Sequence, residues 1–266
     1  MHLRDKVEKL HRTLSDFGRV AIAFSGGVDS SFLLKSALDV LGAGNVVILH
    51  GRSCLQKKVE QERAETWLSR HGYSSDIDHL FIELQPLGWK EFISNPKERC
   101  YLCKHRLYRL FLDELDKRGI HVLLDGTNTD DLKDRRPGLR AIHELGVQTP
   151  LVSCGLGKAD IRELSRELKL DTSDQPSSSC LATRIPHGLE ITVQRLERIA
   201  AWEDGLAELG FDGCRVRMDV KSERIVYLQL IQADLDHFVN PAIRRAVFRF
   251  FKNTGVSQVY LDLEGR

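Results

Sequence analysis

The sequence lacks the features that would direct a protein to a membrane, an export pathway or a polyanion. Its 266 residues contain no apolar run long enough to span a bilayer, and residues 1–6 lack the apolar core of a signal peptide. The 39 basic residues nearly balance the 38 acidic ones, giving a net charge of +1, so we expect no general attraction to nucleic acid or lipid. We therefore expect a cytoplasmic protein of one large or two modest domains, without a membrane partner.

A glycine-rich loop follows the first predicted strand. The apolar stretch 20–24 leads directly into the run SGGVDS, and a helix is predicted to begin at Asp29 or Ser30. Glycines let such a turn expose its N–H groups, which together with a helix N-terminus form a cradle for phosphate. Because a carboxylate beside phosphates indicates a magnesium ion, Asp29 is a candidate Mg²⁺ ligand. The loop resembles that of the ATP pyrophosphatases and lacks the spacing of a Walker A loop. The residues predicted to hold the pyrophosphate of ATP are Ser25, Gly26, Gly27, Asp29 and Ser30.

Short apolar strands alternate with helices over the first 170 residues. Strands are predicted at 20–24, 46–50, 79–84, 121–125 and 149–152. The intervening helices, which include predicted helices at 57–70 and 158–168, imply an α/β fold with a doubly wound parallel sheet. Ligands of such sheets bind beyond the carboxyl ends of the strands, where the fourth strand runs into a polar segment. Gly126, Thr127, Asn128 and Asp131 are therefore predicted to close over the nucleotide, with Asp131 as a candidate second metal ligand. A strand-end turn rich in Asn and Asp is the alternative.

The pattern changes after residue 171, where the polar segment 171–179 has the composition of a linker. Strands predicted near 214–219, 224–230 and 256–261, with helices between them, indicate a small α+β domain. We place the domains at 1–175 and 176–266, the second for substrate binding or oligomerisation. Arg215 and Arg217 share one face of a strand there, which suits a bidentate grip on a substrate phosphate or carboxylate, or an exposed strand face. Arg136 is a further candidate for substrate binding.

Six cysteines in a chain with a nucleotide-type loop indicate thiols or metal ligands rather than disulfides. Cys100 and Cys103 form a C-x-x-C pair, and Cys180 lies in a polar loop. Three cysteines at one site fit a [4Fe-4S] cluster with one iron open to carry a sulfide, while zinc or ordinary thiols are the alternatives. The isolated cysteines are predicted to be small buried hydrophobes; they are Cys54, Cys154 and Cys214.

Six segments carry a family resemblance: SGGVDSS, CYLCK, DGTNTDDLKDRRPG, GLGKADIRELSRELKL, DQPSSSCLATRIPHG and RVRMD. In this order they resemble the LarE family of ATP-dependent sulfur transferases. The resemblance implies that ATP and Mg²⁺ serve to adenylate the carboxylates of pyridinium-3,5-biscarboxylic acid mononucleotide, with release of pyrophosphate. Sulfur then gives thiocarboxylates for the nickel-pincer cofactor of lactate racemase. The resemblance also implies a small-molecule nucleotide substrate and a homo-oligomer.

Two sources of the sulfur are implied by the same resemblance. In one, Cys180 gives up its own sulfur and becomes dehydroalanine. In the other, Cys100, Cys103 and Cys180 bind a [4Fe-4S] cluster that carries a sulfide, and the presence of all three cysteines favours this route. Arg184, four residues after Cys180, is a candidate catalytic residue that steadies negative charge at the acyl phosphate, or else pairs with an acid.

Three other functions fit parts of the sequence. An RNA-thiolating enzyme shares the pyrophosphate loop, but the balanced charge counts against it because RNA binding depends on paired phosphate contacts. A nucleotide-binding regulator would need neither Cys180 nor the two arginines. An ammonia-using relative would have no use for three cysteines. In the second domain, Glu203 is predicted to be a solvated acid, with a metal site as the alternative.

Overall fold

The protein forms two compact units in a computed structural model that describes residues 2–133 and 137–266. The first unit comprises Met1–Ser53, Lys58–Leu84 and Glu98–Ser177. The second comprises Cys54–Lys57, Gln85–Lys97 and Ser178–Arg266, so it includes two short segments from the first half of the chain. The functional roles of domains 1–175 and 176–266 stay predictions.

The described part of the chain contains seven strands and twelve α-helices. The strands are β1 (Val20–Ala23), β2 (Val46–Arg52), β3 (His79–Glu83), β4 (Leu123–Asp125), β5 (Arg215–Met218), β6 (Ile225–Gln229) and β7 (Gln258–Leu261). The helices are α1 (Leu3–Phe17), α2 (Val28–Leu41), α3 (Lys58–Glu65), α4 (Trp67–Arg70), α5 (Lys90–Ile93), α6 (Arg99–Asp116), α7 (Pro137–Glu144), α8 (Pro150–Ser153), α9 (Lys158–Glu167), α10 (Val193–Glu208), α11 (Gln232–Phe238) and α12 (Pro241–Asn253). None of these helices combines the length and apolarity needed to cross a bilayer.

The first unit is built on a parallel sheet with the strand order β3-β2-β1-β4. All four residues of β1 are buried, and alternate residues enter two separate hydrophobic clusters. Val20 and Ile22 pack with residues of α1, α2 and α9, whereas Ala21 and Ala23 pack with residues of α6 and α7. Because helices cover both faces of the sheet, the predicted doubly wound α/β fold is confirmed.

Two predicted elements of this unit differ in the structure. Residues 149–152 are predicted as a fifth strand, but α8 begins at Pro150, a residue that favours the first turn of a helix and cannot donate to a sheet. Just before this segment, Gln148 forms an isolated parallel bridge with Leu124 of β4. The single helix predicted for 57–70 is divided at Thr66 into α3 and α4.

The second unit contains a sheet in which β6 pairs antiparallel with β5 and parallel with β7. Its core includes Trp202 of α10 and Phe251 of α12, both fully buried, and Trp202 donates to Thr254 Oγ1 over 2.9 Å. Asn95 ties a short segment into this unit, because its buried Nδ2 donates to the carbonyl oxygens of Pro186 and Leu189 over 2.7 and 2.9 Å. The φ of Asn95 is 56°, a left-handed conformation that asparagine tolerates better than most residues.

Two imidazoles lie side by side: His50 of β2 is fully buried, and His79 of β3 is half-buried. The ring centroids of His50 and His79 are 6.4 Å apart, and Nε2 of each ring is buried with no hydrogen-bond partner among the described residues. Burial lowers the pKa of both groups. The pKa of His79 falls to about 4, mainly through burial and further through the positive charges of His50 and Arg52.

We expect acid to destabilise the fold through His79. An unfolded imidazole binds a proton below a pKa of 6.5, whereas the folded one stays neutral down to about 4, so the unfolded state holds more protons between these values. The free energy of unfolding should fall by at most about 3 kcal/mol across this interval, and this contribution is constant below it. Urea unfolding of the wild type and His79→Phe at several pH values measures the difference. An equal loss of stability in both proteins would contradict the prediction.

Candidate active site

The loop after β1 is held in a defined shape by its own serines. Ser25 Oγ accepts from Gly27 N over 3.4 Å and lies 3.1 Å from Ser30 Oγ, which also donates to Gly27 O over 3.1 Å. Gly26 has a φ of 77°, and a Cβ added to it would lie 2.9 Å from Ala64 Cβ, so this position requires glycine. The extended Gly27 precedes the first residue of α2, so the loop opens onto a helix N-terminus suited to an anion.

The loop after β4 lies beside the loop after β1. Ala23 of β1 is in register with Asp125 of β4, so both strands end at the same edge. A Cβ added to Gly126 would lie 3.0 Å from Ser30 N, which shows how closely the two backbones approach. Asn128 Oδ1 accepts from the N–H groups of Asp130 and Asp131 over 2.9 and 3.3 Å and caps the turn. The structure therefore brings the two predicted groups of nucleotide-binding residues together.

Asp29 lies in the first turn of α2 with a buried carboxylate. Its Oδ1 has no hydrogen-bond partner among the described residues. Burial, followed by the negative charge of Asp131, raises the pKa of Asp29 to about 6, and the cation of Lys158 acts in the opposite direction. A buried carboxylate oxygen without a donor, beside an anion cradle, fits the requirements of a Mg²⁺ ligand.

Lys158 is a residue of this site that sequence reasoning missed. It is the first residue of α9, and its Nζ lies 3.5 Å from Asp131 Oδ1 while its N–H donates to Asp130 Oδ2 over 2.7 Å. Residues 158–168 are predicted as a helix with an apolar face, and that pattern gives no position relative to the loops. The lysine directly after Gly157, at a predicted helix start, is the signal that identifies it.

The side chain of Thr127 faces Asp125. Both its N–H, over 2.7 Å, and its hydroxyl donate to Asp125 Oδ1. Although burial alone raises the pKa of Asp125, the ammonium of Lys104 and the hydrogen bonds from Thr127 and Tyr108 hold it below its usual value. The side chain of Thr127 thus shapes the loop, while its contact with ATP stays a prediction.

The predicted cluster cysteines lie on two different elements. Cys100 and Cys103 occupy the first turns of α6 in the first unit, and Cys180 precedes a short 3₁₀ turn in the second unit; all three are half-buried. Within residues 2–133 and 137–266, no group of three or more His, Cys, Asp or Glu side chains is placed to hold a metal ion. The predicted cluster site of Cys100, Cys103 and Cys180 stays a prediction.

The burial of the other three cysteines matches the prediction at two positions and differs at the third. Cys154 and Cys214 are buried as expected, and burial raises the pKa of Cys214 to about 12. Cys54 is exposed, so its prediction as a buried hydrophobe is wrong. It lies in the turn between β2 and α3, which provides no core for its side chain.

Arg184 donates several hydrogen bonds that hold the loop carrying Cys180. Its guanidinium donates to both carboxylate oxygens of Glu203, over 2.7 and 3.2 Å, and to Ser179 O and Ser179 Oγ over 2.7 and 2.6 Å. Arg184 and Glu203 are 4% and 2% exposed, so the prediction of Glu203 as a solvated acid is wrong. A bidentate buried pair holds the loop in place, and the contact of Arg184 with an acyl phosphate stays a prediction.

Glu203 also connects this loop with the two predicted substrate arginines. Its Oε1 accepts from Val216 N over 3.0 Å, and its Oε2 lies 3.2 Å from Lys57 Nζ. These donors and Arg184 hold the pKa of Glu203 below its usual value despite burial. Lys57, far away in the sequence, is a member of this site that no local pattern identifies.

Arg215 and Arg217 lie on the same face of β5, as predicted, with Val216 between them on the buried face. Arg217 donates to Gln229 Oε1 over 2.8 Å and to Thr183 O over 3.0 Å. Burial, followed by the nearby cations of Arg266, Arg184 and Arg217, lowers the pKa of Arg215 to about 10. This concentration of positive charge favours a bound anion. Arg136 lies outside the described residues.

We expect Glu203→Gln to destabilise the protein by about 3 kcal/mol or more, because it leaves the buried cation of Arg184 without its counter-charge. Arg184→Lys keeps the charge but loses the fork, and should cost about 1–3 kcal/mol. Urea unfolding measures both changes, and limited proteolysis reports on the Cys180 loop.

The matched control is Glu223→Gln, since Glu223 also pairs with two arginines, Arg195 and Arg198, but its side chain is 41% exposed. That variant should lose less than about 1 kcal/mol. Equal losses in the buried and the exposed variants would contradict the assigned role of Glu203.

Comparison with known proteins places the chain in a family. No protein-family model matches the sequence. An uncharacterised protein of Synechocystis sp. is 34% identical over 265 residues, covering 99% of this chain and 95% of that protein. A glutamine-hydrolysing GMP synthase component of Methanosarcina barkeri is 26% identical over 251 residues, covering 81% of this chain and 77% of that protein.

The pyridinium-3,5-bisthiocarboxylic acid mononucleotide synthase of Lactiplantibacillus plantarum is 32% identical to this chain over 266 residues. The match covers 99% of this chain and 92% of that protein, so it includes both compact units. With the two nucleotide-type loops at one sheet edge, this coverage shows that the chain belongs to the pyridinium-3,5-bisthiocarboxylic acid mononucleotide synthase (LarE) family.

Proposed function

We propose that the protein is an ATP-dependent sulfur transferase that converts the carboxylates of pyridinium-3,5-biscarboxylic acid mononucleotide to thiocarboxylates. The observation that carries the proposal is the buried Oδ1 of Asp29, which has no hydrogen-bond donor among the described residues and lies beside the anion cradle after β1. The family relationship supports the small-molecule substrate and favours it over a transfer RNA. The product would serve the nickel-pincer cofactor of lactate racemase.

ATP would bind at the edge formed by β1 and β4. The backbone N–H group of Gly26 and the N-terminus of α2 face the β- and γ-phosphates in this proposal. Asp29 would hold Mg²⁺ with Asp131 as a second ligand, and the metal would neutralise charge on the phosphates. Lys158 would supply a further positive charge at the pyrophosphate. Gly126 and Asn128 would contact the nucleotide from the loop after β4.

The first chemical step follows from the poor electrophilicity of a carboxylate. One carboxylate oxygen attacks the α-phosphorus of ATP, and the bond to the β-phosphate oxygen breaks to release pyrophosphate. The resulting acyl adenylate carries AMP as a good leaving group. Arg215 and Arg217, with Arg136, would hold the substrate phosphate or its second carboxylate while the first is activated.

The second step transfers sulfur to the acyl carbon. In the cysteine route, Cys180 Sγ attacks this carbon and AMP leaves; loss of the Cys180 α-proton and cleavage of its Cβ–Sγ bond then give the thiocarboxylate and dehydroalanine. In the cluster route, which the C-x-x-C pair favours, a [4Fe-4S] cluster held by Cys100, Cys103 and Cys180 would supply sulfide instead. A second cycle would activate the other carboxylate and convert it to a thiocarboxylate.

The activation step is tested by incubating the protein with ATP, Mg²⁺ and the mononucleotide, then measuring AMP, pyrophosphate and the mass of the organic product. We expect Asp29→Asn to slow pyrophosphate release by about 10² or more, because a ligand to the metal is lost. Asp174→Asn removes an exposed acid of the same unit and should retain full activity. Unchanged activity of Asp29→Asn, or no substrate-dependent pyrophosphate from the wild type, would contradict the proposal.

The sulfur source is tested by measuring iron and acid-labile sulfide in protein purified without oxygen. We expect roughly four irons and matching sulfide per chain, lost in Cys100→Ala and retained in the control Cys54→Ala. Absence of iron from the wild type would leave Cys180 as the sulfur source. Mass spectrometry after one turnover would then show dehydroalanine at residue 180.

A further inference from the structure

Asp125 is a buried carboxylate that the proposed reaction does not use. It is the last residue of β4 and is 7% exposed. Four donors surround it: the N–H and hydroxyl of Thr127, the hydroxyl of Tyr108 and the ammonium of Lys104. Such a complete set of charge-assisted contacts holds the carboxylate in one orientation.

The two oxygens of Asp125 face two different parts of the first unit. Oδ1 accepts both hydrogen bonds from Thr127, in the loop after β4. Oδ2 accepts from Tyr108 of α6 and lies 3.3 Å from Lys104 Nζ of the same helix. Because a carboxylate is planar and rigid, a movement that reorients Oδ1 with the loop also displaces Oδ2 and the helix donors.

The two groups of donors around Asp125 each adjoin a segment with a proposed function: the nucleotide loops on one side and the C-x-x-C pair on the other. On the loop side, Gly126 follows Asp125 and approaches the backbone of Ser30, in the loop after β1. On the helix side, Lys104 lies one turn after Cys100 on the same face of α6. A Cβ added to Gly138 of α7 would touch Lys104 Cδ at 3.3 Å, which shows that the half-buried lysine stem passes close to α7.

We propose that Asp125 is a positioning residue that couples the nucleotide loops to the C-x-x-C turns of α6. Binding of ATP fixes the loop after β4, and the carboxylate of Asp125 transmits this order through Lys104 and Tyr108 to the helix segment that carries Cys100 and Cys103. ATP and the cysteine segment thereby stabilise each other, since coupling of this kind is reciprocal. The proposal rests on the proposed ATP site.

Hydrogen–deuterium exchange of the full-length protein with and without ATP and Mg²⁺ tests this coupling. In the wild type, ATP should slow exchange at residues 102–108 by at least about fivefold, the lower end of common allosteric couplings. In Asp125→Asn the slowing should disappear from α6 at saturating ATP, while it persists in the loop after β1. The dissociation constant for ATP, measured by titration calorimetry, should rise roughly five- to tenfold because the charge-assisted bonds to Thr127 are weakened.

A pair of lysine variants separates coupling from mere structural support. Lys104→Arg keeps a cation within reach of Asp125 and should retain the effect of ATP on α6, whereas Lys104→Met should abolish it with little change in the ATP dissociation constant. Arg109→Gln, at an exposed position of the same helix, is the control. If ATP binds and α6 responds equally in the wild type and Asp125→Asn, or in neither, the coupling is refuted. If ATP fails to bind the wild type, the proposed function fails with it.

Discussion

The parallel pairing of β1 with β4 is the contact on which the nucleotide site depends. It ends both strands at one edge, with Ala23 opposite Asp125, and so sets the two polar loops beside each other. The strand order β3-β2-β1-β4 places the next strand of the chain, β2, on the other side of β1. Parallel sheets bind ligands in the crevice at the point where successive strands of the chain lie on opposite sides of a central strand. The absence of a Cβ at Gly126 then allows the second loop to approach the first turn of α2.

Three buried carboxylates show how the surroundings decide what an acid does. Asp125 and Glu203 each accept hydrogen bonds from several donors, and those donors hold the pKa of each group below its usual value despite burial. Both carboxylates therefore organise loops. Asp29 is different: its buried Oδ1 has no donor among the described residues, and burial, followed by the negative charge of Asp131, raises its pKa to about 6. A carboxylate left in this state is suited to a metal cation, which supports the proposed role of Asp29 as a Mg²⁺ ligand.

Local sequence patterns predicted the elements that carry the site, but not the contacts that hold them. An apolar run followed by two glycines predicts β1, its loop and α2, because strand burial and glycine conformation are local properties. Residues 149–152 were predicted as a strand from their apolar side chains, whereas Pro150 determines a helix start. The pairing of Arg184 with Glu203, and the approach of Lys158 to Asp131, arise from tertiary packing between elements distant in the chain. The spacing of apolar residues along the sequence gives no information about such partners.

The three predicted cluster cysteines are held in two different ways. Cys180 lies on a loop at the start of a short 3₁₀ turn, and the guanidinium of Arg184 adds order by donating to Ser179 and Thr183. Cys100 and Cys103 lie on a helix, whose order comes from backbone hydrogen bonds and from the anchor of Lys104 and Tyr108 at Asp125. A thiol that gives up its sulfur must change its own covalent structure, which a loop accommodates more readily than a packed helix. Metal ligands, in contrast, benefit from a rigid helical spacing. The two settings therefore suit the two proposed routes: the loop would let Cys180 give up its sulfur in the cysteine route, and the helix fixes the spacing of Cys100 and Cys103 as ligands in the cluster route.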